Sequence, residues 1–383
     1  MSPKVNQHHS YTLGGLSKGC QYCVRGEKLV LFVTGLCPRK CYFCPVSDEK
    51  FQKDVAFANE RKVFSSADVV KEAEKMNAKG AGITGGDPLV KIDRTTRFII
   101  NLKKKFGMSF HIHLYTSLKS VNDSKLQKLY AAGLDEIRFH PDLESQQFWK
   151  RITIAAKFPW DIGIEVPIIP GKEKETKELI DFVNGKVSFL NLNELEVADN
   201  KQSKLLTMGF KTKGTYDYAI ANSLEMGLNM LNYVQDKEYN LKVHLCTAKL
   251  KDATQLTNRI KREAKCSKRA FDLVDKEGML TRGALYLEDL SPGFGYREKL
   301  KNTDKVPLVA KLNSLLIEIK DKTKMEDEDL FIDEEKVRIL LSKSNVKKNK
   351  KQLSKLNLLP AIVTEYPTAD QLEIEVQFLS KHI

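Results

Sequence analysis

Three cysteines stand close together early in the chain, in Cys37-Pro-Arg-Lys-Cys41-Tyr-Phe-Cys44. Three thiolates so spaced can each bind one iron of a [4Fe–4S] cubane, where full protein ligation would use four. The absent fourth thiolate leaves one iron open to a substrate or cofactor, as in catalytic metal sites. A zinc site, or chance, is the plainer alternative. Cys20-Gln-Tyr-Cys23 forms a knuckle between Gly19 and Gly26, Cys246 ends a strand pattern, and Cys266 lies in a basic segment. These two pairs could complete a Cys₄ zinc site or an auxiliary iron–sulfur cluster. They could equally be buried thiols, because free cysteine is often core. The total of seven is odd, which argues against a disulfide framework and for metal ligation.

Other polar groups fall at the ends of apolar runs. Arg138 and His140 share one face of Ile137-Arg-Phe-His, with Phe139 opposite. His111 and His113 share a face in the run ending Tyr115-Thr-Ser117. Asn191, Asn193 and Leu195 share another, with Glu194 and Glu196 on its reverse. At the C-terminal rim of a barrel such groups line a substrate site. Arg138, His140 and Glu196 are the candidates for chemistry, and Asn193 for holding a cofactor. Arg138 could grip a carboxylate or phosphate bidentately. Taken singly, each could be a satisfied core polar group.

Apolar runs alternate with helical patterns from about residue 28 to 200. Strands are expected at Lys28–Thr34, Gly82–Thr84, Phe110–Thr116, Glu136–His140, Ile162–Ile168 and Phe189–Val197. Helices are expected between them, near Ser66–Lys79, Thr95–Phe106, Ser124–Ala132, Leu143–Ala156 and Lys174–Val183. Val69, Val70, Ala73 and Met76 make an apolar stripe at helical period. Such alternation builds a parallel α/β sheet, open or rolled into a barrel. Beyond residue 200 the pattern predicts a long helix at Thr215–Glu238, a strand at Lys242–Leu245 and a basic helix at Gln255–Ala264. Arg259, Arg262, Lys265 and Arg269 recur there at roughly helical spacing, suited to phosphates or simply to water. An acidic stretch, a lysine run and an alternating terminal strand suggest a small α+β appendage. The expected divisions are an N-terminal CxxC segment 1–27, a barrel 28–240, an extension 241–300 and a C-terminal α+β domain 301–383.

The cysteine spacing, with an aromatic residue before the last cysteine, resembles the signature of the radical S-adenosylmethionine (SAM) superfamily. Thr84-Gly85-Gly86-Asp87-Pro88 resembles that family's Gly-Gly-Glu-Pro-like segment, with Asp in place of Glu. Ile162-Gly-Ile-Glu-Val-Pro-Ile-Ile-Pro170 looks like its fifth strand. The resemblance covers roughly residues 28–200 and is strongest to the pyruvate formate-lyase activating enzyme-like branch, including uncharacterised archaeal members with a CxxC segment before the cluster motif. It implies a partial (β/α)6 TIM-like barrel, a [4Fe–4S] cluster on Cys37, Cys41 and Cys44, and SAM chelating the open iron. It further implies reductive cleavage of SAM to methionine and a radical that abstracts a hydrogen atom from substrate. Gly85, Gly86 and Asp87 would contact the SAM amino group, with Gly86 where the backbone nears the ligand, so that alanine there should weaken SAM binding and spare the cluster. Glu165 could hydrogen-bond SAM or be a paired core carboxylate.

The net charge of +13 fits an anionic partner such as tRNA, or merely a soluble lysine-rich surface. No apolar run approaches the roughly 20 residues of a membrane helix, and MSPKVNQHHS has no apolar signal core. A cytoplasmic location without membrane contact is expected. A protein or tRNA substrate and an electron donor such as ferredoxin or flavodoxin are the expected partners. A small-molecule substrate, or a non-catalytic iron–sulfur or zinc nucleic-acid-binding protein, are the alternatives.

Overall fold

The computed structural model describes residues 5–379; the outermost residues of the first and last expected divisions lie outside them. The chain forms two units, dividing between Arg259 and Ile260. The first contains β1 (Tyr11–Leu13), β2 (Lys28–Phe32), β3 (Ala56–Ala58), β4 (Arg61–Val63), β5 (Gly80–Thr84), β6 (His111–Ser117), β7 (Glu136–His140), β8 (Asp161–Ile168), β9 (Phe189–Glu194) and β10 (Lys242–Cys246). They lie in one sheet in the order β1-β10-β9-β8-β7-β6-β5-β2-β3-β4. From β2 to β10 each neighbour through β5–β9 is parallel, whereas β1, β3 and β4 run antiparallel at the two ends. The sheet ends in edges and does not close, as a partial TIM-like barrel requires.

Alternation decides what each face of this sheet carries. Leu29, Leu31, Ile83, Ile112, Leu114, Ile137, Phe139, Ile164 and Leu192 join one hydrophobic core. Helices α2 (Ser66–Lys75), α3 (Ile92–Phe106), α4 (Asp123–Ala132), α5 (Glu173–Val183) and α6 (Ser223–Asp236) contribute Ala73, Phe98, Leu129, Leu179 and Leu231 to it. The opposite side chains, among them Lys28, His113, Glu136, Arg138, Glu165 and Asn191, are mutually hydrogen-bonded or ion-paired polar groups or lie beside them. Helix α1 (Lys18–Val24), which carries Cys20 and Cys23, packs against this polar face: the Gly19 amide donates to Glu136 at 2.9 Å. A Cβ on Gly19 would stand 2.5 Å from Arg138 and 2.6 Å from Glu136, so only glycine lets the helix approach so closely.

Three expectations are corrected. Leu143–Ala156 is not an α-helix; residues Gln146–Lys157 form 3₁₀ turns. Residues 215–222 precede α6 instead of extending it, because Ala219 and Ile220 bridge to Glu196 and Thr212 in extended pairing. The expected boundary near 300 is not where the units part. Strand β10 is a parallel member of the first sheet, and β12 (Leu280–Leu287), after the short β11 (Leu273–Val274), lies at the centre of a second sheet with β13 (Leu330–Asp333), β14 (Arg338–Leu341), β15 (Leu358–Glu365) and β16 (Glu373–Phe378). That second unit is α+β with its own core, including Leu285, Leu312, Ile339 and Val363. Among the described residues, no helix is long and apolar enough to cross a membrane.

Candidate active site

The cysteine loop leaves the C-terminal end of β2, the end of a barrel strand where chemistry sits. Its first part is pinned by backbone: the Gly86 amide donates to Thr34 O (2.7 Å) and Asp87 N to Leu36 O (2.9 Å). Gln52 closes the loop's base, donating from its backbone to Gly35 O (3.0 Å) and from its side chain to Cys37 O (2.9 Å). Arg39, inside the motif, donates to His140 O at 3.0 Å and pairs with Asp142 at 3.3 Å, which ties the loop to the end of β7.

Cys37, Cys41 and Cys44 all line one cavity of about 540 Å³. Gly85 and Gly86 line it too, as do Ser117, His140, Glu165 and Asn193 from the ends of β6 to β9. Among the described residues, no three or more His, Cys, Asp or Glu side chains converge on a single ion position. A cubane places no such demand, since each thiolate binds a different iron. Three half-buried thiols opening on one cavity, with no fourth among its lining, fit such a cluster with one open iron. Burial pushes the Cys37 thiol up to about 11, so coordination itself would have to draw off its proton.

The two glycines are also closely approached by the protein's own backbone. A Cβ on Gly86 would meet Leu36 O at 2.5 Å and Gly35 O at 2.6 Å, and one on Gly85 would meet Thr34 O at 2.5 Å. What approaches them most closely is the backbone leading into the cysteine loop. Asp87 is wholly buried, and its carboxylate accepts from the Thr116 and Ser117 hydroxyls, each at 2.7 Å, and from Leu89 N at 3.0 Å. It is not part of the cavity lining. The carboxylate braces two strand ends, leaving only the backbone of this segment at the cavity.

Glu165 forms part of the cavity floor. Its Oε2 accepts from Arg138 (2.8 Å) and Asn191 (2.9 Å), and its Oε1 from Asn193 (3.1 Å). Burial raises its pKa, but the Arg138 charge and these donors outweigh that and hold the carboxyl below its usual range. Arg138 is not available to grip a substrate: it is 2% exposed and also engages Glu136, Tyr115 and Ser17. Glu196 is not among the lining residues and pairs with Lys251. His140 does line the cavity; burial lowers its pKa to about 4, and Nδ1 meets Glu165 O at 2.8 Å. The imidazole is therefore neutral near pH 7.

The remaining cysteines lie in differing surroundings. Cys20 is buried, with Arg138 at 3.4 Å and Asn191 at 3.3 Å from its sulfur. Burial pushes Cys23 up to about 12, and Cys246 packs with Val24 and Leu250. Cys266 is exposed and belongs to the second unit. The basic helix, Thr257–Ser267, is not a uniform phosphate-facing row: Ile260, Glu263 and Ala264 are buried, and Arg269 lies over the Phe331 ring, 2.9 Å from its centroid. Sequence reasoning missed Arg39, although it sits within the motif, and the buried hydroxyls of Thr116 and Ser117.

Residues 31–158 match the Radical SAM superfamily model. A Methanocaldococcus jannaschii protein, provisionally named a glycyl-radical enzyme activating enzyme, is 35% identical over 372 residues, covering 94% of this chain and 92% of that one. Among solved structures, Streptococcus suis SuiB bound to its precursor peptide SuiA aligns with 58% of this chain and 48% of its own, at 16% identity and a TM-score of 0.42. Methylornithine synthase aligns with 57% and 71%, at 14% identity and a TM-score of 0.37. With the motif thiols on one cavity and this identity over nearly its full length, the chain belongs to the radical SAM superfamily of enzymes.

Proposed function

We propose that this enzyme abstracts a hydrogen atom from a protein substrate, in the manner of a glycyl-radical enzyme activating enzyme. The observation that carries the reading is the shared cavity of Cys37, Cys41 and Cys44 with the Gly85–Gly86 backbone and Glu165. The protein substrate is supported by the name of the Methanocaldococcus relative. Cys37, Cys41 and Cys44 would hold the [4Fe–4S] cluster, and the Gly85–Gly86 backbone, Glu165 and Asn193 would contact SAM. When bound, the cluster and SAM supply one-electron cleavage of the sulfonium and the hydrogen-abstracting species. The protein's own part is positioning. Gly85 and Gly86 fix the loop against β5, and Glu165 offers a fixed negative charge, held by Arg138, to a cationic or hydroxyl-bearing ligand. With Nδ1–H donated to Glu165 O, neutral His140 leaves Nε2 to accept a hydrogen bond without adding charge to the cavity.

Anaerobic reconstitution with SAM and a reductant tests this. Wild type should form 5′-deoxyadenosine, and Cys41→Ala should lose both product and cluster absorbance; a fully active Cys41→Ala protein would overturn the ligand assignment. Substrate class is read by isotope. Deuterium from a deuterated protein fraction of the source cells should enter the deoxyadenosine. Label arriving only from a deuterated RNA fraction would move the substrate to RNA, and label from neither would favour a small molecule.

A further inference from the structure

The second half of the cysteine loop, residues 42–48, has neither helix nor strand of its own. The Cys44 amide reaches Cys41 O at 3.2 Å, a contact within the loop itself. The hydrogen bonds that reach this half from outside the cysteine loop come from a segment more than 150 residues later, just past β9. Asn200 Nδ2 donates to both Cys44 O and Val46 O, each at 3.0 Å. Lys204 N donates to Tyr42 O at 2.6 Å, and Lys201 N to Asp48 Oδ1 at 3.1 Å. The carbonyls of Tyr42, Cys44 and Val46 thus meet one short stretch of chain, as alternate residues of a strand would meet a neighbour. Asn200 is also braced from its own side. Its Oδ1 accepts from Gln202 N (3.0 Å) and Ser203 N (2.7 Å), an Asx turn that fixes which way the amide points. Farther along the same crossover, Lys213 pairs with buried Glu194, and Val197 N donates to Tyr218 O at 2.8 Å, so the segment is anchored to the end of β9.

We propose that Asn200 is a positioning residue for the iron–sulfur cluster, fixing the backbone that carries Cys44. The proposal rests on the reading of Cys37, Cys41 and Cys44 as ligands. Both amide protons are spent on the loop, and groups that orient metal ligands in this way tune the metal they never touch.

The test separates the two ends of the side chain. Asn200→Asp keeps an oxygen for Gln202 and Ser203 but offers no donor to Cys44 O and Val46 O. Asn200→Ala loses both functions. Reconstituted proteins are compared by the rate of iron release to a chelator and by the electron paramagnetic resonance spectrum of the reduced cluster, with the thermal midpoint of the apoproteins as a folding control. Asn200→Asp should keep a midpoint near wild type, release iron roughly tenfold faster or more, and show an altered spectrum. Wild-type release and spectrum in Asn200→Asp would overturn the proposal. That result alongside a defective Asn200→Ala would assign the residue to the turn alone. Wild type that is folded yet takes up no cluster would instead sink the ligand reading, a failure visible before any variant is compared.

Discussion

Arg138 Nη1 donates to Glu165 Oε2 at 2.8 Å across the adjacent strands β7 and β8, joining the cavity floor to the polar interior beneath it. The same guanidinium engages Glu136, whose carboxylate holds the Gly19 amide of α1. One guanidinium therefore engages two carboxylates, and the CxxC helix docks on that arrangement.

Replacing Arg138 by Met should keep most of the volume and strand two buried acids without their counter-charge. Breaking a buried ion pair from one side costs about 3–5 kcal/mol. Urea unfolding of the apoprotein at pH 7 should register a loss of that order. A loss under about 1 kcal/mol at pH 7 would show that the pair contributes little.

Asp87→Asn should leave SAM affinity within about tenfold, that is about 1.4 kcal/mol. The carboxylate faces Thr116, Ser117 and Leu89, not the cavity, so it cannot itself pair with a ligand's ammonium in this arrangement. Stability should fall by about 1–2 kcal/mol, because two hydroxyls that now donate to a charged oxygen lose part of that bond. Equilibrium binding to the anaerobic holoprotein decides it, and a drop well beyond tenfold would place the carboxylate at the ligand.

Stability should also fall as pH drops from about 6.5 to 4. Burial lowers the pKa of His244 to about 4, with Ser10 as its hydrogen-bond partner at 3.1 Å, and burial likewise holds His113 well below the ordinary value of 6.5. The folded form stays neutral in that window while the unfolded chain takes up protons, so acid favours unfolding. For His244 alone the full passage amounts to roughly 3 kcal/mol. His244→Gln should flatten the pH profile of the urea midpoint over this range. An unchanged slope would remove His244 from the account.

The parallel strands were legible because each combines an apolar face with short, bounded length; Glu136–His140 was read with its observed limits. The close spacing of Cys37, Cys41 and Cys44 agrees with their lining one cavity. What escaped was anything decided by a partner far along the chain. Residues 215–222 were expected to extend α6, yet Ala219 and Ile220 are taken by bridges to Glu196 and Thr212. Arg138 looked like a substrate-binding cation because alternation gives its face, which it shares with Glu136, but not Glu165 on the neighbouring strand. Asn200 shows no local signal, since its partners Cys44 and Val46 lie more than 150 residues away.

Gly86→Ala should weaken the cluster itself, and not only SAM binding. The added methyl would sit 2.5 Å from Leu36 O and 2.6 Å from Gly35 O, and both are backbone atoms that no side-chain rotation can move aside. Relief requires the GGDP turn and the start of the cysteine loop to separate. That would stretch the hydrogen bonds from Gly86 to Thr34 and from Asp87 to Leu36, one residue before the first motif cysteine. Overpacking of this kind costs about 1–3 kcal/mol. The expected result is lower iron per chain after reconstitution and faster loss to a chelator, together with poorer SAM binding. Gly133→Ala is a contrasting control: unlike Gly86 it has a positive φ, at 95°, and an added Cβ would face only flexible side-chain atoms of Lys103 and Met108 at 3.4 Å and beyond. It should lose stability through backbone strain and keep its iron. If Gly86→Ala retains full iron and loses SAM alone, the close approach that matters at Gly86 is to the ligand, and the loop contact is incidental.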